Sequence, residues 1–346
     1  KVNKLGNNKI KVTARSRESA DAVIKTVIIE PEGISKELVE NYTLSGGSDR
    51  IVDTSIPLDI VEDSGRAYIA LTSSYLSQTI DGLEELIQMP FGCGEQNMIV
   101  FAPDVYIVKY LQESGQLKPE IMAKAEELMI TGYQRELTYR RNDGSFSAFG
   151  QSDKEGSLWL TAFVLKCFSQ AKGLIYIDDN VMYEAANWIN AHQNSDGSFD
   201  PVGFLHHQEM MGGLQENNAL TAYVAIALLE AGETAAAGKA IDFLEGKLDE
   251  IDNAYTLAIT TYALELARSN RSDDAYQMLI EMAHEDENGM YWGSGFDSPE
   301  TLVSGTASIE TTGYAAMALI EHGDSFNASR AAKWLVSQRN AYGGFE

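Results

Sequence analysis

The sequence predicts a mainly α protein, an α/α toroid preceded by a small β segment. Three observations predict it. From about residue 73 onward, segment after segment carries apolar side chains at i, i+3, i+4 spacing. A short pattern recurs inside those segments: Thr161-Ala162-Phe163-Val164, Thr221-Ala222-Tyr223-Val224, Thr261-Tyr262-Ala263-Leu264 and Gly313-Tyr314-Ala315-Ala316. Gly-rich aromatic turns recur between them: Asn142 to Phe146, Ser195 to Phe199, Asn288 to Trp292 and Gly343 to Phe345. Repeated helical hairpins that bury apolar faces on their neighbours form solenoids or closed rings. The small residues of the repeat let inner helices approach around a narrow centre.

In chain order, residues 1 to about 62 read as β. Ile10, Val12 and Ala14 alternate with polar residues, and the β-branched run Val23 to Ile29 ends at the turn-like Glu30-Pro31-Glu32-Gly33. A further short strand fits Tyr68 to Leu71. So few strands do not bury both faces of a sandwich. They either pack on the next domain or belong with strands elsewhere in a longer chain. The expected helices are 75–88, 103–114, 119–140, 156–171, 180–193, 217–231, 234–247, 254–269, 272–284, 306–321 and 327–338. Pro103 followed by Asp104 reads as a helix start, and Gly115, Gly173, Gly232 and Gly323 as helix stops.

The 346 residues are enough for a sizeable core, and 44% of them are hydrophobic. No apolar run approaches the roughly 20 residues that span a bilayer. The net charge of −25 argues against nucleic acid or anionic lipid as a partner, because both are bound through Lys and Arg. Two cysteines, Cys93 and Cys167, make no disulfide framework. Cys167 sits in an apolar helix and is expected as a buried free thiol. Glycosylation triplets begin at Asn41, Asn270 and Asn327, which would suit an extracellular, secreted chain. His192, His284 and His322 fall near expected helix ends. Asp178-Asp179 and Asp273-Asp274 read as solvated helix starts rather than metal clusters.

One stretch does not read as packing: Pro90-Phe91-Gly92-Cys93-Gly94-Glu95-Gln96-Asn97. Gly92 and Gly94 permit a tight backbone around Cys93. A helix beginning near Gln96 puts Cys93 ahead of its N-terminus, where the dipole favours thiolate. Gln96 follows at i+3, a neighbour on one helical turn. A thiolate held against an amide carbonyl can expel ammonia and form an internal thioester. Near-attack pairs reach effective molarities of about 10⁵–10⁸ M. A thioester must be kept from water, and Phe91, Met98, Phe101 and Tyr106 are the local candidates for an apolar cover. His206-His207-x-Glu209 invites a metal reading, but adjacent side chains point apart, so no metal is expected.

Gly92-Cys93-Gly94-Glu95-Gln96-Asn97-Met98-Ile99 resembles the thioester motif of the alpha-macroglobulin and complement superfamily. Val27 to Ile34, Gly132-Tyr133-Gln134 and Ser157 to Ala162 resemble further segments of that family, so the likeness runs over nearly the whole chain. It is nearer to the invertebrate thioester proteins and the GPI-anchored macroglobulin-like type than to vertebrate complement component three. Leu205 to Gly213 resembles the segment whose histidine sets thioester chemistry, and the His-Gln-Glu-Met run assigns that role to His207. His206 takes a position that is usually apolar in relatives. The resemblance implies that His207 attacks the thioester, and that the freed Cys93 thiolate then acts as base for a hydroxyl. Esters to carbohydrate or Ser/Thr hydroxyls are thereby favoured over amides.

The same resemblance implies a domain division: a partial CUB-type β segment at 1–65, and a thioester domain at 66–346 that lacks its last helix. Macroglobulin domains and a bait region are absent, so the chain is expected to be an excised piece whose thioester is open to hydrolysis. The expected function is single-turnover covalent attachment without a cofactor, as an innate-immune opsonin or protease trap. Its expected partners are target hydroxyls or amines, proteases and other domains of the same parent, which is secreted or cell-surface anchored. The alternatives are a Cys93–His207 acyl-transfer enzyme with turnover and a non-covalent binding module. A third rival rests on Gln193 to Phe199, which fits the turns of terpene cyclases and prenyltransferase subunits; the acid or diphosphate-metal cluster it needs is not found.

Overall fold

A computed structural model describes residues 6–29, 87–207, 217–293 and 302–339, with isolated residues between 47 and 71 and without the side chains of 302–307. The chain forms two compact units, Lys1–Thr72 and Ser73–Glu346.

In the first unit β1 (Gly6–Arg15) pairs antiparallel with β2 (Ala20–Ile29), placing Ile10 opposite Lys25 and Val12 opposite Val23. The turn closes on Ser16, whose Oγ accepts the Ser19 N–H at 3.0 Å. Ile10, Val12, Val23, Ile24 and Ile28 are all at least half exposed. Of the strand expected at Tyr68 to Leu71, the described residues Tyr68, Ile69 and Leu71 are exposed and join no ladder among the described residues.

The second unit is a succession of helix pairs. Its helices are α1 (Gly94–Glu113), α2 (Pro119–Leu137), α3 (Leu158–Ala171), α4 (Asp179–Ala191), α5 (Asn217–Glu230), α6 (Thr234–Lys247), α7 (Ala254–Leu266) and α8 (Ser272–Glu281). Strands β3 (His284–Asp286) and β4 (Gly289–Tyr291) precede α9 (Leu302–His322) and α10 (Ser325–Ser337). Helices α1, α3, α5, α7 and α9 pack in sequence, each backed by the next helix along the chain. The inner helices are apolar all round. Every residue from Ala219 to Leu228 and from Tyr255 to Leu264 is buried, as a helix enclosed on all sides requires. Their aromatic side chains converge. Burial, with Cys167, Tyr314 and Tyr255 close by, pushes the phenols of Tyr106 and Tyr223 above their ordinary value. The α/α toroid read from the repeats is therefore the fold, and the mainly α class holds.

The recurring turns tie inner to outer helices. The Phe146, Phe199 and Trp292 amides donate to Thr161, Thr221 and Thr312 Oγ1 at 3.0, 3.0 and 3.1 Å, all buried. In two of these turns an aspartate closes the loop: Asp143 and Asp196 Oδ1 accept the amides and hydroxyls of Ser145 and Ser198. Gly197, at φ +93, lies so near α6 that a Cβ there would sit 2.1 Å from the Lys239 carbonyl. Gln193 Nε2 spans the Gly197 and Ala236 carbonyls. The residues that fit a cyclase pattern are thus fasteners of the ring.

Helix boundaries follow the expected ones with one correction. Pro103 is not a helix start; it lies inside α1, which runs on from Gly94. Its ring forfeits one bond, to the Ile99 carbonyl, and Ile99 is at the surface, where that carbonyl can reach solvent. Gly115, Gly173, Gly232 and Gly323 all take positive φ behind helices. Asp178 caps α4, and Asp273 and Asp274 sit in the first turn of α8. Cys167 is a buried free thiol, which burial pushes up to about 12. The expected helix at 75–88 lies almost wholly outside the described residues, as do Asn41, Gln208 to Gly213 and Gly343 to Phe345.

Replacing Thr221 by Val leaves the Phe199 N–H buried without an acceptor. Urea unfolding should show a loss of about 1–3 kcal/mol.

Candidate functional site

The site is built on the first turn of α1. Cys93 is its N-cap, with extended backbone (φ −77°, ψ 179°), and Gln96 is the third helical residue. The pair forms a capping box in which cysteine stands where serine or threonine usually does. The Cys93 N–H donates to Gln96 Oε1 at 3.2 Å, and the Gln96 backbone faces the Cys93 side chain. This brings the sulfur and the carboxamide into one turn. Gly92, at φ +77, makes room for it, since a Cβ there would lie 2.1 Å from Gln96 Oε1. The Gly92 carbonyl accepts from Arg135 Nη2 at 2.6 Å and Tyr139 Oη at 2.7 Å, both from α2 or just past its end. The Gly94 amide donates to the Ala148 carbonyl at 2.9 Å.

Glu95 is wholly buried, and its carboxylate joins this turn to a loop more than a hundred residues away. Oε1 accepts the His206 N–H at 2.9 Å; Oε2 accepts the His207 N–H at 2.9 Å and meets His207 Nδ1 at 2.6 Å. That loop is pinned on its other side, where the Leu158 amide donates to the Val202 carbonyl at 2.9 Å. The outcome is that Cys93 Sγ, a Glu95 oxygen and a His207 ring nitrogen lie within 4.8 Å of one another. These donor types suit a soft divalent cation, in place of the His206-His207-x-Glu209 set considered from sequence. Glu95, however, already accepts three hydrogen bonds.

Two further carboxyls are buried, Glu136 beside the turn and Asp104 farther along α1. Glu136 is buried; Oε2 accepts from Asn97 Nδ2 at 2.8 Å, and Oε1 has no partner among the described residues. Burial holds this carboxyl well above the usual range, and neighbouring Glu95 adds to the effect. Asp104 accepts the Gln88 N–H at 3.3 Å, and burial pushes it up to about 7 against the pull of that bond and of Lys124.

The four cover candidates separate. Met98 and Phe101 are core residues, Phe101 packing edge-on against Phe168 at 5.6 Å. Phe91 is exposed, and Tyr106 is partly so, with its hydroxyl 3.9 Å from Cys167 Sγ. Of the glycosylation triplets, Asn270 lies exposed in the turn after α7. Asn327 donates its side-chain amide to Asp324 in the cap of α10, a bond that a glycan would displace. The sequence reading missed Arg135, Tyr139 and Glu136 as neighbours of the motif. It also missed the task of Glu95, for which an acid in the first helical turn was a signal too general to use.

Residues 67–346 match the sequence profile of the A-macroglobulin TED domain. The chain belongs to the alpha-macroglobulin family. It is also 36% identical to ovostatin of Gallus gallus over 343 residues, which cover 94% of this chain and 23% of that protein. The chain thus spans about a quarter of the curated relative it matches. The matched range includes Gly92 to Gln96, the turn that leads into α1. No helix among the described residues is long and apolar enough to cross a membrane.

Asp104 binds a proton in the folded protein that the unfolded chain gives up near pH 4. Its contribution to stability should therefore fall from about pH 4 to about pH 7 and level off above. Asp104→Asn, which keeps an acceptor for Gln88, should raise Tm at pH 8 and leave it nearly unchanged at pH 4.

Proposed function

We propose that this chain forms an internal thioester between Cys93 and Gln96 and uses it once to bond covalently to a target. The observation that carries the reading is the capping-box pairing of Cys93 and Gln96 beneath a His207 nitrogen within 4.8 Å. Cys93 sulfur attacks Gln96 Cδ, and Nε2 leaves as ammonia with the thiol proton. With Nδ1 committed to Glu95, Nε2 of His207 is the nitrogen left to attack the thioester carbonyl and expel the Cys93 thiolate. The thiolate then takes the proton of an incoming hydroxyl, whose oxygen displaces the imidazole and leaves an ester. Glu95 holds the ring in position throughout. A primary amine can open the thioester directly, giving an amide.

The transfer consumes the bond, so the domain acts stoichiometrically and needs no cofactor or metal. Target hydroxyls or amines, with proteases among their carriers, are the partners this chemistry serves, in innate-immune opsonisation or protease trapping. The setting is extracellular, in a secreted or surface-anchored glycoprotein, with Asn270 an open glycosylation site among the described residues. The same Cys93–His207 proximity would serve an acyltransferase with turnover; Gln96 is superfluous in that reading.

The test is the intact mass of protein purified without alkylation, with thiol titration before and after methylamine. The proposal expects a mass short by one ammonia, no free Cys93 until methylamine is added, and the adduct on Gln96. A full mass with Cys93 reactive from the start and no adduct would overturn it. Gly92→Ala, which drives a methyl group into Gln96, should abolish both the mass deficit and the adduct. His207→Ala should retain the methylamine reaction and lower ester formation about 10²–10⁴-fold, measured with glycerol as acceptor.

A further inference from the structure

We propose that Cys93 and His207, whenever Cys93 is a free thiol, bind a soft divalent cation of the zinc class, with Glu95 as the carboxylate that orients the histidine. This goes beyond the thioester reading, because the site exists only while the Cys93–Gln96 bond is absent. Cys93 Sγ, a Glu95 oxygen and a His207 ring nitrogen lie within 4.8 Å of one another. No other group of three or more His, Cys, Asp or Glu side chains converges in this way among the described residues. Thiolate sulfur and imidazole nitrogen are the donors that zinc and its neighbours take up. At ordinary bond lengths and a tetrahedral angle, two such donors on one ion stand roughly 3.5 Å apart. The side chains therefore reach that geometry by small rotations.

Glu95 decides how the histidine binds. Its Oε2 meets His207 Nδ1 at 2.6 Å and accepts the His207 N–H at 2.9 Å, while Oε1 accepts the His206 N–H at 2.9 Å. A nitrogen and an oxygen at 2.6 Å are too close to share one tetrahedral ion, which needs about 3.3 Å between them. The pair instead has the form common around bound zinc, in which one ring nitrogen donates its proton to a carboxylate and the other faces the metal. His207 Nε2 is thus the ligand atom, and Glu95 gives up none of its three hydrogen bonds. Glu95 is wholly buried, so the ring it holds has a fixed direction.

The surroundings suit an ion. Cys93 keeps only 8% of its surface, whereas the His207 side chain keeps 28%. The imidazole side is therefore the way in, and waters complete the coordination there. The Cys93 thiolate and the Glu95 carboxylate bring two negative charges, which outweigh the roughly half positive charge at the head of α1. Cys167 offers no rival site: it is fully buried, and its sulfur meets Tyr106 Oη at 3.9 Å.

Binding exchanges the thiol proton, which passes to the buffer, for the cation, and nothing is oxidised or reduced. The consequence is competition. An ion on Cys93 Sγ occupies the electron pair that would attack Gln96 Cδ. A formed thioester leaves that sulfur without the charge that holds an ion. The cation thereby keeps the thiol form from closing and shields the thiolate of the opened form.

The test uses Co²⁺ as the probe, because a thiolate ligand gives it a charge-transfer band in the near ultraviolet. The full chain is opened with methylamine, and a free Cys93 is verified by thiol titration. The opened protein should show the band, saturating at one Co²⁺ per chain and displaced by Zn²⁺; protein with its thioester intact should not. Cys93→Ser should abolish the band. His207→Gln should weaken binding more than tenfold, and Glu95→Gln about 10–100-fold. Should Glu95→Gln fail to fold, His207→Gln carries the test, since its side chain is partly exposed. Zn²⁺ should also slow alkylation of Cys93 in the opened protein at least tenfold, and lose that effect in His207→Gln. No band on a chain whose Cys93 titrates as free overturns the proposal. So does a band that survives Cys93→Ser, or an affinity unchanged in His207→Gln. A band in untreated protein whose Cys93 is free from the start sinks the thioester reading instead and leaves the cation site standing.

Discussion

One buried carboxylate connects the two halves of the site. Glu95 lies in the first turn of α1, and its oxygens receive the backbone of a loop that the chain reaches only after α2, α3 and α4 have been laid down. A buried carboxylate is costly unless its oxygens are satisfied. Among the described residues the satisfaction comes from the His206 and His207 segment, so burial of Glu95 and correct seating of His207 go together. The position of His207 relative to Cys93 is therefore set by the packing of the ring, not by local turn geometry.

The ring supplies the rigidity this needs. Its repeats place a threonine hydroxyl under the backbone of each aromatic turn residue, as at Thr161, Thr221 and Thr312, and a glycine against the next outer helix. The α2 face then serves two ends. Toward the core, Tyr133 meets Phe168 edge-on at 5.0 Å; toward the site, Arg135 and Tyr139 hold the Gly92 carbonyl. The turn that carries Cys93 is thus braced from α2, from the Ala148 carbonyl and through Glu95.

Two buried carboxyls lie along α1, one beside the Cys93 turn and one farther down the helix. Glu136 and Asp104 are both buried, and both hold their protons more tightly than ordinary carboxyls because burial penalises the charged form. An ionised Glu136 would stand beside Glu95, and burial, by holding the Glu136 proton, works against that repulsion.

Much of this was legible in the sequence. Periodicity gave α2 to α8 to within three residues at each end, because inner helices such as α5 and α7 are apolar on every side and outer ones are bounded by glycines that a helix stop explains. The spacing of Cys93 and Gln96 is itself a local fact: a capping box needs only four consecutive residues, so the sequence determined that pair. It failed at Pro103, where a residue that opens helices elsewhere is carried inside one with its missing bond on the exposed Ile99 side, and at Tyr68 to Leu71, where β-prone residues have no partner strand among the described residues. The tertiary structure alone decided that Glu95 faces His207, that Met98 and Phe101 go to the core while Phe204 and Phe149 meet across His206, and that burial makes Glu136 hold its proton more tightly. Each of these joins residues tens to over a hundred positions apart, and such contacts follow from how the ring closes, which no local pattern of side chains encodes.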